Sequence, residues 1–139
     1  MARLTLMGDP GKSEIVPVTN LEEMPVNETI ELVSSLRKGE FPVRRIVLNR
    51  VLQGGRVLGG ALENEMDRIV SDDQVPNWAL AVSASYVRTV SQIENIRRVE
   101  SVLGIQSVKL PELNSGILDE RSLKQLTAIF ERSLSDHCL

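Results

Sequence analysis

Apolar and polar positions fall in blocks along this chain, and the block lengths separate strands from helices. Ile15-Val16-Pro17-Val18, Val43 to Leu48 and Ile105 to Leu110 are short runs of branched apolar residues, the composition of buried strands. Pro17 removes a ladder donor, so Ser13 to Thr19 reads as an edge strand or one with a bulge, ended by Thr19 and Asn20. Ile30, Val33 and Leu36 recur at helical spacing behind Asn27 as an N-cap, with Glu28 and Glu31 in the first turn. Arg37-Lys38 and Gly39 close that pattern, which predicts a helix over 27–38. Phe41-Pro42 is the connection to the second strand. A longer helical pattern runs from about Trp78 to Leu103, with Leu80, Val87, Val90, Ile93, Ile96, Val99 and Leu103 on its apolar side and Gly104 as its stop. Asp119 caps a last helix that turns Leu123, Leu126, Ile129 and Phe130 inward.

The remaining segments are less regular. Leu4 to Met7 is a short apolar stretch before the turn Gly8-Asp9-Pro10-Gly11. Gln53 to Gly60 carries two Gly-Gly pairs and reads as a flexible loop, Ala61 to Ile69 reads as helical, and Ser71-Asp72-Asp73 and Pro76-Asn77 break it. The order is β-α-β-(loop, α)-α-β-α. Such alternation predicts an α/β fold, a partial parallel sheet of about three strands flanked by helices. The 139 residues suit one α/β segment. Parallel sheets are covered on both faces, so so small a sheet is expected to belong to a larger domain.

Charge and composition narrow the chemistry. A formal net charge of -3 argues against nucleic acid, which selects a basic footprint. Arg44, Arg45 and Arg50 form a local basic cluster that suits a solvated strand edge or helix rim. His137 and Cys138 are the sole residues of their types, so a Cys/His metal site lacks partners and an internal disulfide cannot form. With no signal-peptide core or apolar run of membrane length, the cytoplasm is the expected compartment.

Most candidate motifs dissolve on inspection. Gly8-Asp9-Pro10-Gly11-Lys12-Ser13 looks like a phosphate loop, but that loop needs a glycine five residues before Gly11, where Leu6 stands, and a helix after the lysine. Glu22-Glu23 are adjacent, point apart and suit the start of a helix. Glu63, Glu65 and Asp67 read as a solvated helix face. No nucleophile–base pair exists, because the single histidine is terminal. A receiver-type fold would need acidic strand ends, whereas these strands end in Thr19, Asn49 and Pro111. Asn49 and Pro111 follow strands, at the edge where parallel sheets bind ligands. An asparagine amide suits the edge of a purine, and a proline ring offers an apolar plate. Spacing alone favours a capped strand end for Asn49 and a chain break for Pro111.

The run from Val18 to Leu52 carries a resemblance. Val18-Thr19, Glu22 to Pro25, Glu28-Thr29, Pro42-Val43 and Asn49-Arg50-Val51, with Val108-Lys109-Leu110-Pro111 later, resemble the C-terminal half of the ArsA-type family. That family comprises arsenite-pump-driving, anion-transporting ATPases and tail-anchored-protein targeting ATPases. The resemblance is specific at Val18–Leu52, moderate at Ile105–Pro111 and weak from Gln53 to Tyr86. It implies the C-terminal half of a P-loop NTPase-like domain that dimerises around ATP. In the full-length protein it implies ATP and Mg as cofactors. Asn49 would contact the adenine edge, and Pro111, Glu112 and Leu113 would lie along the base. The implied partners are a missing N-terminal half, a second copy in a homo-oligomer, and a membrane pump subunit or client protein.

The family's phosphate loop, switch segments and water-activating aspartate have no counterpart here, and its Cys-x-x-Cys pair after the Asn strand is absent. The resemblance therefore implies no hydrolysis by this chain alone and little or no ATP binding. The alternative is a stand-alone, non-catalytic interaction or oligomerisation module, since self-association would hide the exposed edge of a small sheet.

Overall fold

Two parallel strands can be joined only by a long crossover, and here helices serve that purpose. A computed structural model of the protein describes residues 9, 11–52, 77–113 and 119–135. In chain order the elements are β1 (Val18–Asn20), α1 (Glu23–Lys38), β2 (Arg45–Val51), α2 (Asn77–Leu103), β3 (Gln106–Pro111) and α3 (Glu120–Ser135). The strands form one sheet in the order β1-β2-β3, parallel throughout. This is the α/β arrangement that the apolar blocks predict. Leu4–Met7, the glycine-rich stretch 53–60, the helical reading of 61–69, and His137-Cys138 lie outside the described residues.

A sheet laid down in one direction by right-handed crossovers puts both crossover helices on one face. Accordingly α1 and α2 pack against each other. Beneath them Ile46 and Leu48 of β2 meet Val26 and Val33 of α1, Val99 and Leu103 of α2, and Leu21 and Val43. Arg37 of α1 donates from Nη1 to the Leu103 carbonyl at 2.8 Å. A cation thus satisfies one of the unpaired carbonyls at the end of α2. Gly104 follows with φ 56, the left-handed conformation that ends helices.

The other face carries the register row Val18, Val47 and Val108. Val47 and Val108 are buried, and α3 packs on β3 there, with Gln106 Nε2 donating to the Ser133 carbonyl at 3.3 Å. Val18 in β1 is 64% exposed, so this face is covered on one side and open on the other. Asp119 caps α3 as expected, its Oδ1 accepting from the Ser122 amide at 2.7 Å. Leu123, expected inward, is 53% exposed, while Leu126, Ile129 and Phe130 are half-buried.

Three boundaries differ from the sequence reading. Helix α1 starts at Glu23, a turn before the expected Asn27, and Glu22 is its N-cap without a side-chain capping bond. Pro25 sits within the first turn, where a missing N–H costs nothing because those amides have no helical partner. Strand β2 runs three residues past Leu48, and β3 takes in Pro111, so neither Asn49 nor Pro111 follows its strand. Only Val18–Asn20 of the Ser13–Thr19 stretch and its terminating Asn20 is strand. The preceding residues lie alongside, with the Ile15 amide on the Pro42 carbonyl at 2.9 Å.

Asn27 is consequently a mid-helix residue, and its Oδ1 is buried with no hydrogen-bond partner. Asn27→Ala removes that unpaired acceptor and substitutes a better helix former. The expected outcome is a gain of about 1 kcal/mol, read as a higher urea midpoint at unchanged slope.

Candidate functional site

The carboxyl ends of the strands come apart, and α2 fills the gap with polar side chains. Strands β1 and β2 pair as far as Asn20 with Asn49, after which the chain leaves β1 at Leu21 and turns into α1. Beyond that point the Arg50 carbonyl and the Leu52 amide face the side that β1 has vacated, because the Val51 carbonyl is spent on the Glu112 amide at 2.9 Å. Gln92 of α2 answers both groups. Its Nε2 donates to the Arg50 carbonyl at 3.1 Å, and its Oε1 accepts from the Leu52 amide at 2.9 Å. Asn95, one turn along, donates from Nδ2 to the Leu21 carbonyl at 3.2 Å. Gln92 and Asn95 are both buried, and each satisfies backbone that would otherwise be unpaired.

A cleft of 180 Å³ opens where the strands separate, lined by Asn20, Leu21, Glu22, Glu23, Arg50, Arg88, Ser91 and Gln92. Arg50 has φ 57, uncommon for a residue with a side chain, and lies in a bulge of β2 between Leu48 and Val51. Its Nη2 donates to Glu112 Oε1 at 2.8 Å, and Arg88 Nη2 reaches the same oxygen at 3.3 Å. The Arg50 hydrogen bond, with Arg88 adding to it, holds the Glu112 carboxyl below its ordinary value against the opposing effect of burial. The carboxylate thereby ties the end of β3 to β2 and to α2.

The structure brings the four sequence-derived candidates to one edge but gives them different surroundings. Asn49 is half-buried inside β2, and its Nδ2 lies 3.4 Å from Asn20 Oδ1, its register partner. It shares a face with Val47, away from α1 and α2, and is not among the cleft's lining residues. Pro111 is buried within β3 opposite Val51, which removes its ring as an exposed plate. Glu112 is engaged by the two arginines, and Leu113 is half-buried next to it. The basic cluster divides. Arg45 pairs with Glu14 at 3.0 Å at the start of β2, while Arg50 pairs with Glu112 at its end.

Gln92, Asn95, Arg88 and Ser91 are not legible as site residues, because they lie outside the apolar positions that recur along α2. The residues that go under are Thr89, Gln92, Asn95, Val99 and Leu103, while Leu80 and Val87 stand 54% and 64% exposed. A polar residue every third position, Thr89, Gln92 and Asn95, in line with Val99 was the available signal.

At the other end of the described chain, Asp9 and Gly11 to Ser13 of the phosphate-loop look-alike bond to one another. Asp9 takes the Gly11 amide on Oδ1 at 2.9 Å, and the Lys12 and Ser13 amides on its carbonyl at 3.0 Å each. The amides a phosphate would need are already bound. Among the described residues, no group of three or more His, Cys, Asp and Glu could hold a metal ion, and no helix is long and apolar enough to cross a membrane.

Protonation of Glu112 gives a direct test of its tethering role. Its carboxyl is held low in the folded state, so its contribution is present above the unfolded pKa and lost as pH falls through the folded one. Glu100 acts in the same direction, held low first by Ser107 and then by Lys109. Stability measured by urea titration should be flat down to about pH 5 and fall below about pH 4.5. In Glu112→Gln the decline should be shallower.

No protein-family model matches the chain, and no curated protein matches it.

Proposed function

We propose that this chain forms the base-side half of an ArsA-type ATP site, within an ATPase that couples ATP binding and hydrolysis to anion transport or protein targeting. The observation that carries the reading is the Asn20–Asn49 amide pair, which lies where β1 ends and two residues before the end of β2, towards the edge where parallel sheets receive ligands. In this reading Asn49 meets the adenine edge. Leu113 rather than Pro111 offers apolar contact, because Pro111 is buried. Glu112 keeps the segment in place through its arginines rather than touching the base.

The described residues do not suit the triphosphate or Mg. The Gly11 to Ser13 amides are occupied by Asp9, and no cluster of metal-ligating side chains is present among those residues. Phosphate and Mg chemistry in this reading belongs to an N-terminal half, and a second copy completes the assembly. A membrane pump subunit or client protein then receives the resulting motion.

The test is nucleoside binding by the isotope-labelled chain, followed by NMR, with ATP turnover measured in parallel. The expected result is no turnover and weak, millimolar-range adenosine binding, with shifts centred on Asn20, Asn49 and Leu113. Turnover that disappears in Asn49→Ala would move catalysis into this chain. No adenosine shift at those residues up to the solubility limit would overturn the base-side reading.

The exposed apolar residues Leu80, Val82 and Val87 of α2 favour a second reading, an oligomerisation module without nucleotide. From Asn77 to Ser91 the sequence has one charged residue, Arg88, yet Leu80, Val82 and Val87 are exposed. Sedimentation as an oligomer, reduced to a monomer by Val87→Asp, together with no adenosine binding, would select it.

A further inference from the structure

We infer that two copies of this chain pair through α2, antiparallel about a two-fold axis at Ser91. The inference rests on the oligomerisation reading and names its partner. It leaves the Asn20–Asn49 edge uncovered, because Asn49 shares the face of Val47, away from α1 and α2.

Leu80, Ala84, Val87, Ser91, Glu94 and Arg98 recur at steps of four and three residues along α2, and Val102 continues the line. All seven are exposed, and none is among the residues of α2 that go under. That spacing keeps one stripe of a helix facing a partner helix over its whole length. Val82 lies about half a turn from Leu80 and falls off the stripe.

The stripe is complementary to itself in one register. With Ser91 opposite Ser91 of the second copy, near the middle of α2, small side chains meet where the helices cross. Glu94 then falls opposite Arg88 of the second copy, Ala84 opposite Arg98, and Leu80 opposite Val102. An anion meets a cation, a methyl group leaves room for a long guanidinium stem, and two exposed apolar side chains cover each other. Two-fold symmetry makes each of these contacts twice. Glu94 has no ion pair with another described residue. Arg88 reaches Glu112 at 3.3 Å, and Glu112 keeps its shorter Arg50 contact when Arg88 turns to Glu94. An axis at Ala84 satisfies less. It sets Arg88 against Leu80, and Glu94 and Val102 then lie beyond the start of the second copy's α2. Three exposed apolar side chains per copy, Leu80, Val87 and Val102, make a small interface, so the dimer belongs to the weak, concentration-dependent class.

The test places single cysteines on the stripe of the full chain, in a Cys138→Ser background that removes the native thiol. Ser91→Cys and Ala84→Cys are oxidised and read by non-reducing electrophoresis, and sedimentation gives dissociation constants. Ser91→Cys should form a linked dimer. Ala84→Cys should not, because the two copies' residues 84 lie about 20 Å apart along antiparallel helices. Glu94→Arg should weaken the dimer roughly tenfold by setting cation against cation, while Val82→Asp leaves it unchanged.

Links at both positions would mean parallel helices, and a link at Ala84→Cys alone a different register. Either result overturns the inference and leaves the oligomerisation reading standing. So does an oligomer that Val87→Asp disperses but neither cysteine links, or a dissociation constant that Glu94→Arg does not move. A chain monomeric at every concentration overturns both.

Discussion

Ile46→Ala should lower stability by about 3 kcal/mol, seen as a large drop in urea midpoint. Ile46 is fully buried in the central strand, among Val26, Val33, Val99 and Leu103 from the two helices above it. Truncation removes its transfer free energy and leaves a cavity, which a sheet held on both sides by neighbouring strands cannot close. A small domain has roughly 5–15 kcal/mol in all, so this one change takes a large fraction. Val18→Ala in β1 is the control. At 64% exposure it should cost less than about 0.5 kcal/mol. Equal costs at the two sites would mean that the core does not lie between β2 and the paired helices.

Asn95→Asp should be as damaging at neutral pH, and its effect should depend on pH in the opposite sense to that of Glu112. Asn95 is 7% exposed and its amide donates to the Leu21 carbonyl. A carboxylate there would be buried and aimed at a carbonyl oxygen, a loss of about 3 kcal/mol. The protonated acid, by contrast, can donate to that oxygen. The introduced carboxyl therefore has a folded pKa raised above its unfolded value. Its stabilising form is fully present below the unfolded pKa and is lost as pH rises through the folded one. Relative to wild type, the variant should recover as pH falls from 7 towards 4. A deficit that stays constant with pH would mean that Asn95 does not donate to Leu21.

The sequence conveyed the order of elements and much of their extent. β-Branched runs bounded by Pro, Gly and Asn announced the three strands, and Gly104 and Asp119 fixed the end of α2 and the start of α3. Cap chemistry misled at α1, where Asn27 has the preferred residue type but Glu22 holds the position. The propensity of Asn for caps was overridden by packing, because starting at Glu23 brings Val26 into the core. The end of α1 is similar. Gly39 marks it, but Glu40 takes the left-handed conformation at φ 61, and Gly39 makes room for the Phe41 ring.

The site was less legible than the fold. Asn49 and Pro111 are singled out by one-dimensional pattern as residues that follow strands, yet both lie within them. Their surroundings depend on a bulge at Arg50 and on Gln92, 42 residues later in the chain, reaching its carbonyl. No local pattern encodes that reach. Apolar periodicity locates the inner face of α2 over its second half, where Ile96, Val99 and Leu103 pack on the core, but not at Leu80 and Val87, and it misses Gln92 and Asn95, because backbone left unpaired at the sheet's end is better buried against amides than against leucine.

The short strand β1 has a consequence for how the sheet can grow. In a parallel pair, alternate residues direct their backbone groups to the same side, so Thr19 faces β2 while Val18 and Asn20 face outward. The Asn20 carbonyl already accepts from Thr19 Oγ1 at 3.0 Å. An incoming strand would find the two polar groups of Val18 and one amide, too few to hold it by ladder bonds alone. Whatever is added beside β1 must draw its energy from covering the bare Val18 side chain, so extension there is a matter of apolar fit, and polar strand segments find little to hold.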